Sequence, residues 1–245
     1  MTVLQIGAAD AATIGIYRPA AVTFCLKEAN TPGLSDYQIS YGIAGDLPIA
    51  GDWDGNGTTT IGIYRPSNST FYLRNSNSGG VGDIEAKFGI PGDIPVVGDW
   101  DGNGTTTIGV YRPSNRRFYL RNSNTTGIAD VVVEFGLPGD IPIAGNWDGI
   151  GGDSIGVYRP SQSTFYLRNS NKTGSPDAVA QFGISGDTPI AGDWDGDGTA
   201  TIGVYRPSDS TFYLRNSNTA GMADAVIEFG AVGDLPVVGN WDGIP

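Results

Sequence analysis

The pentapeptide pattern Gly-[Asp/Asn]-Trp-Asp-Gly begins at Gly51, Gly98, Gly145, Gly192 and Gly239, and every step is 47 residues. Ile-Gly-[Ile/Val]-Tyr-Arg-Pro begins at Ile14, Ile61, Ile108, Ile155 and Ile202 with the same step. A fixed spacing of this kind marks a repeat architecture, in which each unit is one supersecondary element unable to bury its faces alone. Five units account for 235 of the 245 residues, so the chain reads as one domain over residues 1–245.

Within a unit, four short segments carry strand patterning between turn signals. In the third they are residues 94–100, 107–113, 117–122 and 131–136. Phe118 and Leu120 fall on one face and Tyr119 and Arg121 on the other, the two-residue alternation of a strand. The connections DGNGTT, SNR and SNTTGIAD are rich in turn formers, and no segment has a sustained helical period. Four antiparallel strands per unit, five times over, predict an all-β fold: a five-bladed β-propeller. Stacking of blades on both faces would explain strands such as IPVVG and VVVEF that lack polar alternation, and small residues such as Gly98 suit a crowded centre. The fifth copy of the innermost strand occurs only near residues 234–241, which predicts that a C-terminal strand completes the N-terminal blade and closes the ring. A competing segment, TVLQI at 2–6, lies in the same register without the Gly-Asp-Trp pattern.

The strand order brings out a resemblance. Phe88-Gly89, then VVGDWDGNG at 96–104, then IGVYRP at 108–113 resemble the FG-GAP repeats of integrin α-subunit propellers and the bacterial VCBS-type repeats. Phe135-Gly136, Phe182-Gly183 and Phe229-Gly230 recur in place, with Tyr41-Gly42 in the first unit, and the resemblance covers nearly the whole chain. Tyr-Arg-Pro stands where that family has Gly-Ala-Pro, and five units of 47 stand where it has seven longer ones. The resemblance implies an extracellular adhesion or recognition module, with calcium in some blades serving structure.

The Asp-rich loops have two readings. Calcium takes about six to eight oxygen ligands, which a short loop supplies when acidic or amide side chains occupy positions one, three and five, with Gly at six. Asp52, Asp54 and Asn56 fit in the second unit, Asp99, Asp101 and Asn103 in the third, and Asp193, Asp195 and Asp197 in the fifth. The ninth position, ordinarily a carboxylate, is Thr60, Thr107 or Thr201, which moves the expected affinity to the order of 10⁻⁴–10⁻³ M. The fourth loop (Asn146, Asp148, Ile150, Gly151, with Asp153 one place early) is expected to be empty, and the first would be split between Asn240, Asp242 and Asp10. The other reading is that Asp, Asn and Gly simply form Asx-turns in a tight connection.

Repeated Arg and Trp residues are equally two-sided. Arg18, Arg65, Arg112, Arg159 and Arg206, with Arg74, Arg121, Arg168 and Arg215, make nine of the fourteen basic residues. They could form a ring for an acidic ligand, or pack between blades and pair with acidic neighbours. Trp53, Trp100, Trp147, Trp194 and Trp241 could stack on sugars, one site per blade as in a lectin, or anchor the core between blades. Arg116 and Arg117 lie outside the repeat and are expected on the surface. Five Asn-x-[Ser/Thr] matches, at Asn56, Asn68, Asn103, Asn124 and Asn171, are expected from composition alone.

Net charge and residue types narrow the function. A net charge of −12 opposes binding to nucleic acid or an anionic membrane, and no run approaches the roughly 20 apolar residues of a membrane span. The N-terminus lacks the features of a signal peptide, so the protein reads as cytosolic or as a segment of a longer exported one. Cys25 is alone, which leaves no intrachain disulfide and no zinc cluster, and reads as a small buried hydrophobe. With no His and no nucleophile motif, a non-enzymatic module is expected. It is expected to be a monomer at the cell surface or outside the cell, binding a protein or glycan or serving as a spacer.

Overall fold

The structure, a computed structural model, describes residues 11–241. Its first blade joins β1 (Thr13–Arg18), β2 (Thr23–Leu26) and β3 (Tyr37–Ser40) to the last strand of the protein. The second blade is β4 (Leu47–Gly51), β5 (Thr60–Arg65), β6 (Thr70–Leu73) and β7 (Ile84–Lys87), and the third is β8 (Ile94–Gly98), β9 (Thr107–Arg112), β10 (Arg117–Leu120) and β11 (Val131–Glu134). The fourth contains β12 (Ile141–Gly145), β13 (Ser154–Arg159), β14 (Thr164–Leu167) and β15 (Ala178–Gln181). β16 (Thr188–Gly192), β17 (Thr201–Arg206), β18 (Thr211–Leu214) and β19 (Ala225–Glu228) form the fifth, and β20 (Leu235–Gly239) is the last strand described. Within each sheet all neighbours are antiparallel and follow one another from the centre outward.

Closure follows the expectation: β20 pairs with β1 in the register Thr13↔Gly239 to Tyr17↔Leu235. The five innermost strands touch in a circle, β20 to β4, then β8, β12, β16 and back to β20. Each is a sheet edge, which is where a strand tolerates proline. Pro48 and Ala50 of β4, with their counterparts in the other four blades, line a central cavity of about 200 Å³. The competing segment at 2–6 lies outside the described residues.

The core is five separate interfaces between blades. Ile49, Trp53, Tyr64, Phe71 and Leu73 of the second blade, for example, pack on Ile108 and Val110 of the third. The second strand of each blade is covered on both faces, so its first five residues are all buried. Tyr64 leans on Phe71 with ring centroids 4.7 Å apart, and all five blades repeat this tilted pair. Gly62 makes the interface possible, because a Cβ there would lie 3.1 Å from Ile49, Leu73 and the Trp53 ring. A Cβ on Gly98 would sit 2.8 Å from Trp100 and 3.0 Å from Asp153 of the next blade, in keeping with a crowded centre.

One expectation fails at the rim. The strand VVVEF was expected to be covered on both faces, yet in β11 only Val133 is buried while Val132 is 50% exposed. Blades splay as they leave the axis, so the outermost strand has a neighbour on one face only. The strands also stop sooner than expected: β9 ends at Arg112 because Pro113 has no amide hydrogen for the ladder.

Candidate functional site

The Asp-rich loops follow the innermost strands, and in the second, third and fifth blades their first carboxylate organises them. Asp52 Oδ1 accepts from the amides of Gly55 (2.8 Å) and Asn56 (3.0 Å), and Oδ2 from Gly57 (2.7 Å). Asp99 does the same with Gly102, Asn103 and Gly104, and Asp193 with Gly196, Asp197 and Gly198. Gly57 has φ of +91°, the left-handed region open to glycine. The fifth-position side chain forms a second Asx-turn, as Thr58 N donates to Asn56 Oδ1 and Thr199 N to Asp197 Oδ1 (both 2.8 Å). Three backbone donors to one carboxylate hold the turn, the Asx-turn geometry of a tight connection.

The metal geometry is narrower than the three matching sequences suggest. In the fifth blade, carboxylate oxygens of Asp193, Asp195 and Asp197 all lie within 4.8 Å of one another. Asp54 and Asp101 are exposed in their loops beside Asn56 and Asn103, so those loops bring two carboxylates and an amide. Burial pushes the Asp193 carboxyl above its usual pKa, its backbone donors oppose that, and the Asp197 charge adds to it. The ninth-position hydroxyls face elsewhere. Thr60, Thr107 and Thr201 are buried and donate to the carbonyls of Gly51, Gly98 and Gly192, with Thr60 also 2.7 Å from Arg74 O. They act as strand ties, with their hydrogens directed at these carbonyls. In the fourth loop Asn146 Nδ2 donates to Gly151 O in place of the carboxylate turn. Of the proposed first loop, Asp10 and Asp242 lie outside the described residues.

A role for these loops that the sequence did not announce is to clasp the next blade. Thr106 N donates to Asp52 O (2.7 Å), and Asp52 N donates back to Thr106 Oγ1 (3.0 Å). Thr59 and Asn240 repeat the exchange between the second blade and the closing strand's loop. At the third junction Asp153 N donates to Asp99 O while Asp99 N donates to Asp153 Oδ2 (2.8 Å). Ala200 and Ala12, at the same position, keep only the backbone half, to Asn146 O and Asp193 O. Asp153 is thus a substitute for a clasp threonine rather than a displaced ligand. Burial pushes its carboxyl up to about 6, the Asp99 amide pulls the other way, and the Asp99 charge adds to the rise.

The arginines are consumed by the blades that carry them. Arg65 makes a two-pronged pair with Asp46, Nε to Oδ1 and Nη2 to Oδ2, both 2.8 Å. Arg112–Asp93, Arg159–Asp140, Arg206–Asp187 and Arg18–Asp234 repeat it. The carboxylates are buried and also hold the Gly turn before them, as when Asp46 Oδ2 accepts from Ile43 N. The guanidinium of Arg65 lies 4.4 Å from the centre of the Tyr72 ring, and Arg112, Arg159 and Arg206 stack likewise on Tyr119, Tyr166 and Tyr213. The second set staples the outer loops: Arg74 Nη1 donates to Val81 O (2.7 Å) and pairs with Asp83, and Arg121, Arg168 and Arg215 do the same work with Ile128, Ser175 and Met222. Arg116 and Arg117 are surface residues, as expected, and both pair with Glu134.

Every Trp is core. The five are between 3% and 8% exposed, and Trp53, Trp147 and Trp194 donate their indole hydrogens to the carbonyls of Ile61, Ile155 and Ile202. No sugar can stack on them, which overturns the tryptophan version of the lectin reading. Cys25 is buried, as a small hydrophobe should be.

The accessible aromatic surface lies between blades, on the side wall. A groove of about 390 Å³ runs between the third and fourth blades, lined by Phe135, Gly136, Val157, Arg159, Tyr166 and Gly174 among others. One repeat later, Phe182, Gly183, Val204, Arg206, Tyr213 and Gly221 line a groove of about 410 Å³ between the fourth and fifth blades, walled further by Met222 and Val226. Its floor is the Arg–Tyr stack with the guanidinium charge already balanced by a buried Asp. Tyr, Arg and Phe-Gly were each legible as repeated residues; what brought them together is the contact of one unit with the next. No protein-family profile matches the sequence, and neither does any curated protein sequence.

Proposed function

We propose that the protein is a non-enzymatic binding module that holds its ligand in the repeated grooves between blades, within an exported or cell-surface protein. The observation that carries this reading is the recurrence of one groove, built from equivalent residues, at two successive junctions. A cleft of about 400 Å³ is within the usual range for small ligands. Its walls are apolar, and Nε and Nη2 of Arg159 and Arg206 are spent on the carboxylate. Nη1 remains to donate to a ligand, held in Arg159 only by a 3.5 Å contact to Gln162. Such a site suits a ligand with one apolar face and hydrogen-bond acceptors at its edge, and the pyranose ring of a glycan has both. Weak sites at regular spacing gain affinity for a repeating polymer through multivalency.

Two further points belong to the same reading. The resemblance to integrin-type and VCBS repeats supports an adhesive role outside the cell. Asp193, Asp195 and Asp197 are the residues we assign to weak, structural calcium binding, on the strength of three converging carboxylates. The test of the main reading is a glycan array probed with the wild type and with Tyr166→Ala/Tyr213→Ala. Binding that is reproducible and lost in the folded double variant supports it. Absence of binding, or binding indifferent to both tyrosines, favours a purely architectural module.

A further inference from the structure

The second and third Asp-rich loops each contain Asn followed by Gly, at Asn56-Gly57 and Asn103-Gly104, and all four residues are exposed. This dipeptide is the one most prone to spontaneous deamidation, because glycine has no Cβ to hinder attack by its own amide nitrogen. In that reaction the glycine nitrogen loses its proton to solvent base and forms a bond to the asparagine Cγ. The bond from Cγ to Nδ2 breaks, ammonia leaves with a proton, and a five-membered succinimide results. Water then opens the ring at either carbonyl, leaving aspartate or isoaspartate.

Here both the nucleophile and the electrophile are tied down. The Gly57 amide hydrogen is given to Asp52 Oδ2 at 2.7 Å, and the Gly104 hydrogen to Asp99 Oδ2 at 2.9 Å. A hydrogen bond to a carboxylate opposes loss of that proton and aims the nitrogen toward the Asp. The asparagine side chains are held as well, since Thr58 N and Thr105 N donate to Asn56 Oδ1 and Asn103 Oδ1, each at 2.8 Å. We propose that Asn56 and Asn103 are latent deamidation sites, kept in the amide form by the carboxylates of Asp52 and Asp99. Opening of a loop releases its glycine amide, and each deamidation that follows adds one lasting negative charge. The fifth blade already has the acid at this position, Asp197, followed by Gly198 in the same hydrogen bond to Asp193. The aspartate product would therefore give the second and third loops the acidic pattern of the fifth.

The experiment is incubation in mildly alkaline buffer below the unfolding temperature, followed by peptide mapping and mass spectrometry at both sites. The wild type should deamidate slowly when folded and rapidly in urea. Asp52→Ala should accelerate Asn56 by about tenfold or more, the worth of one hydrogen bond to a charged group, while Asn103 in the same molecule keeps the wild-type rate. The milder Asp99→Asn, which retains the shape but loses the charge and one acceptor, should accelerate Asn103 and leave Asn56 alone. Equal rates for folded and unfolded wild type overturn the proposal. So does a variant whose neighbouring asparagine reacts at the wild-type rate, or one in which both sites accelerate together.

Discussion

Arg18 and Asp234 join the first and last strands of the ring across 216 residues, with Nε to Oδ1 at 3.0 Å and Nη2 to Oδ2 at 2.8 Å. The same pair recurs in the other four blades between residues nineteen apart, where it joins neighbouring strands of one hairpin. Only in the first blade does it also guard ring closure. Asp234→Ala should cost about 1–3 kcal/mol, since it leaves a guanidinium and the Ala231 amide without their acceptor. Proteolysis should be enhanced selectively around 235–241, where β20 would peel from β1, and Asp93→Ala should leave that region intact. Equal protection of the C-terminal strand in both variants would count against closure as the weak point.

The closing pair is also the most exposed one. The Arg18 side chain is 42% exposed against 20% for Arg65 and Arg112, and the cause is Cys25, which stands where the other blades have the stacking Tyr. Cys25→Tyr should restore the cation–π contact and raise stability by about 0.5–1 kcal/mol. A higher denaturation midpoint in the variant, lost again in Cys25→Tyr/Arg18→Gln, is the expected result. A midpoint unchanged or lowered would mean that the first blade has repacked around the smaller residue.

The Asp153 clasp makes stability depend on pH in the opposite sense from an ordinary ion-paired carboxylate. Its pKa rises from 3.8 to about 6 in the folded protein. Between those values the folded state retains a proton that the unfolded state has lost, so this group's contribution to stability falls as pH rises. Below the window both states are protonated; above it the folded protein is left with a partly buried charge beside Asp99. Asp153→Thr, which copies the Thr59 and Thr106 clasps, should therefore gain about 1–3 kcal/mol over wild type above pH 6, with the difference shrinking toward pH 4. Urea denaturation of both proteins across this range measures it, and a gap that does not change with pH would refute the assignment.

Much of this architecture is local in the sequence and was legible there. The 47-residue step, the turn residues of DGNGTT and the alternation at Phe118–Leu120 fix where strands begin and which face they bury. Even ring closure by β20 follows from the position of the fifth Gly-[Asp/Asn]-Trp. The clasp was not legible, because Asp52 and Thr106 are 54 residues apart and meet only when blades wrap a common axis. Nor was the fate of the tryptophans: a repeated aromatic is a rim or a core residue according to what covers it, and the covering surface belongs to the neighbouring unit. The grooves were missed for the same reason, since Phe135 and Tyr166 lie in different repeats. At Val132 the failure was geometric, as a two-sided strand pattern assumes a second neighbour that the splayed rim does not have.

Calcium should distinguish the loops from one another. A ligand that binds only the folded state stabilises it by RT ln(1 + [L]/Kd), about 1.4 kcal/mol per site at ten times Kd. Asp193, Asp195 and Asp197 bring three carboxylates together, whereas Asn56 and Asn103 reduce the second and third loops to two. Asp195→Asn should thus abolish most of the rise in thermal midpoint on going from excess EGTA to roughly ten-millimolar calcium, well into the weak range, while Asp101→Asn should preserve it. The rise should diminish as pH falls, because burial has lifted the Asp193 pKa and protonation competes with the ion. A shift equal in wild type and Asp195→Asn would place the ion elsewhere; no shift at all would leave the backbone amides as the only partners these carboxylates have.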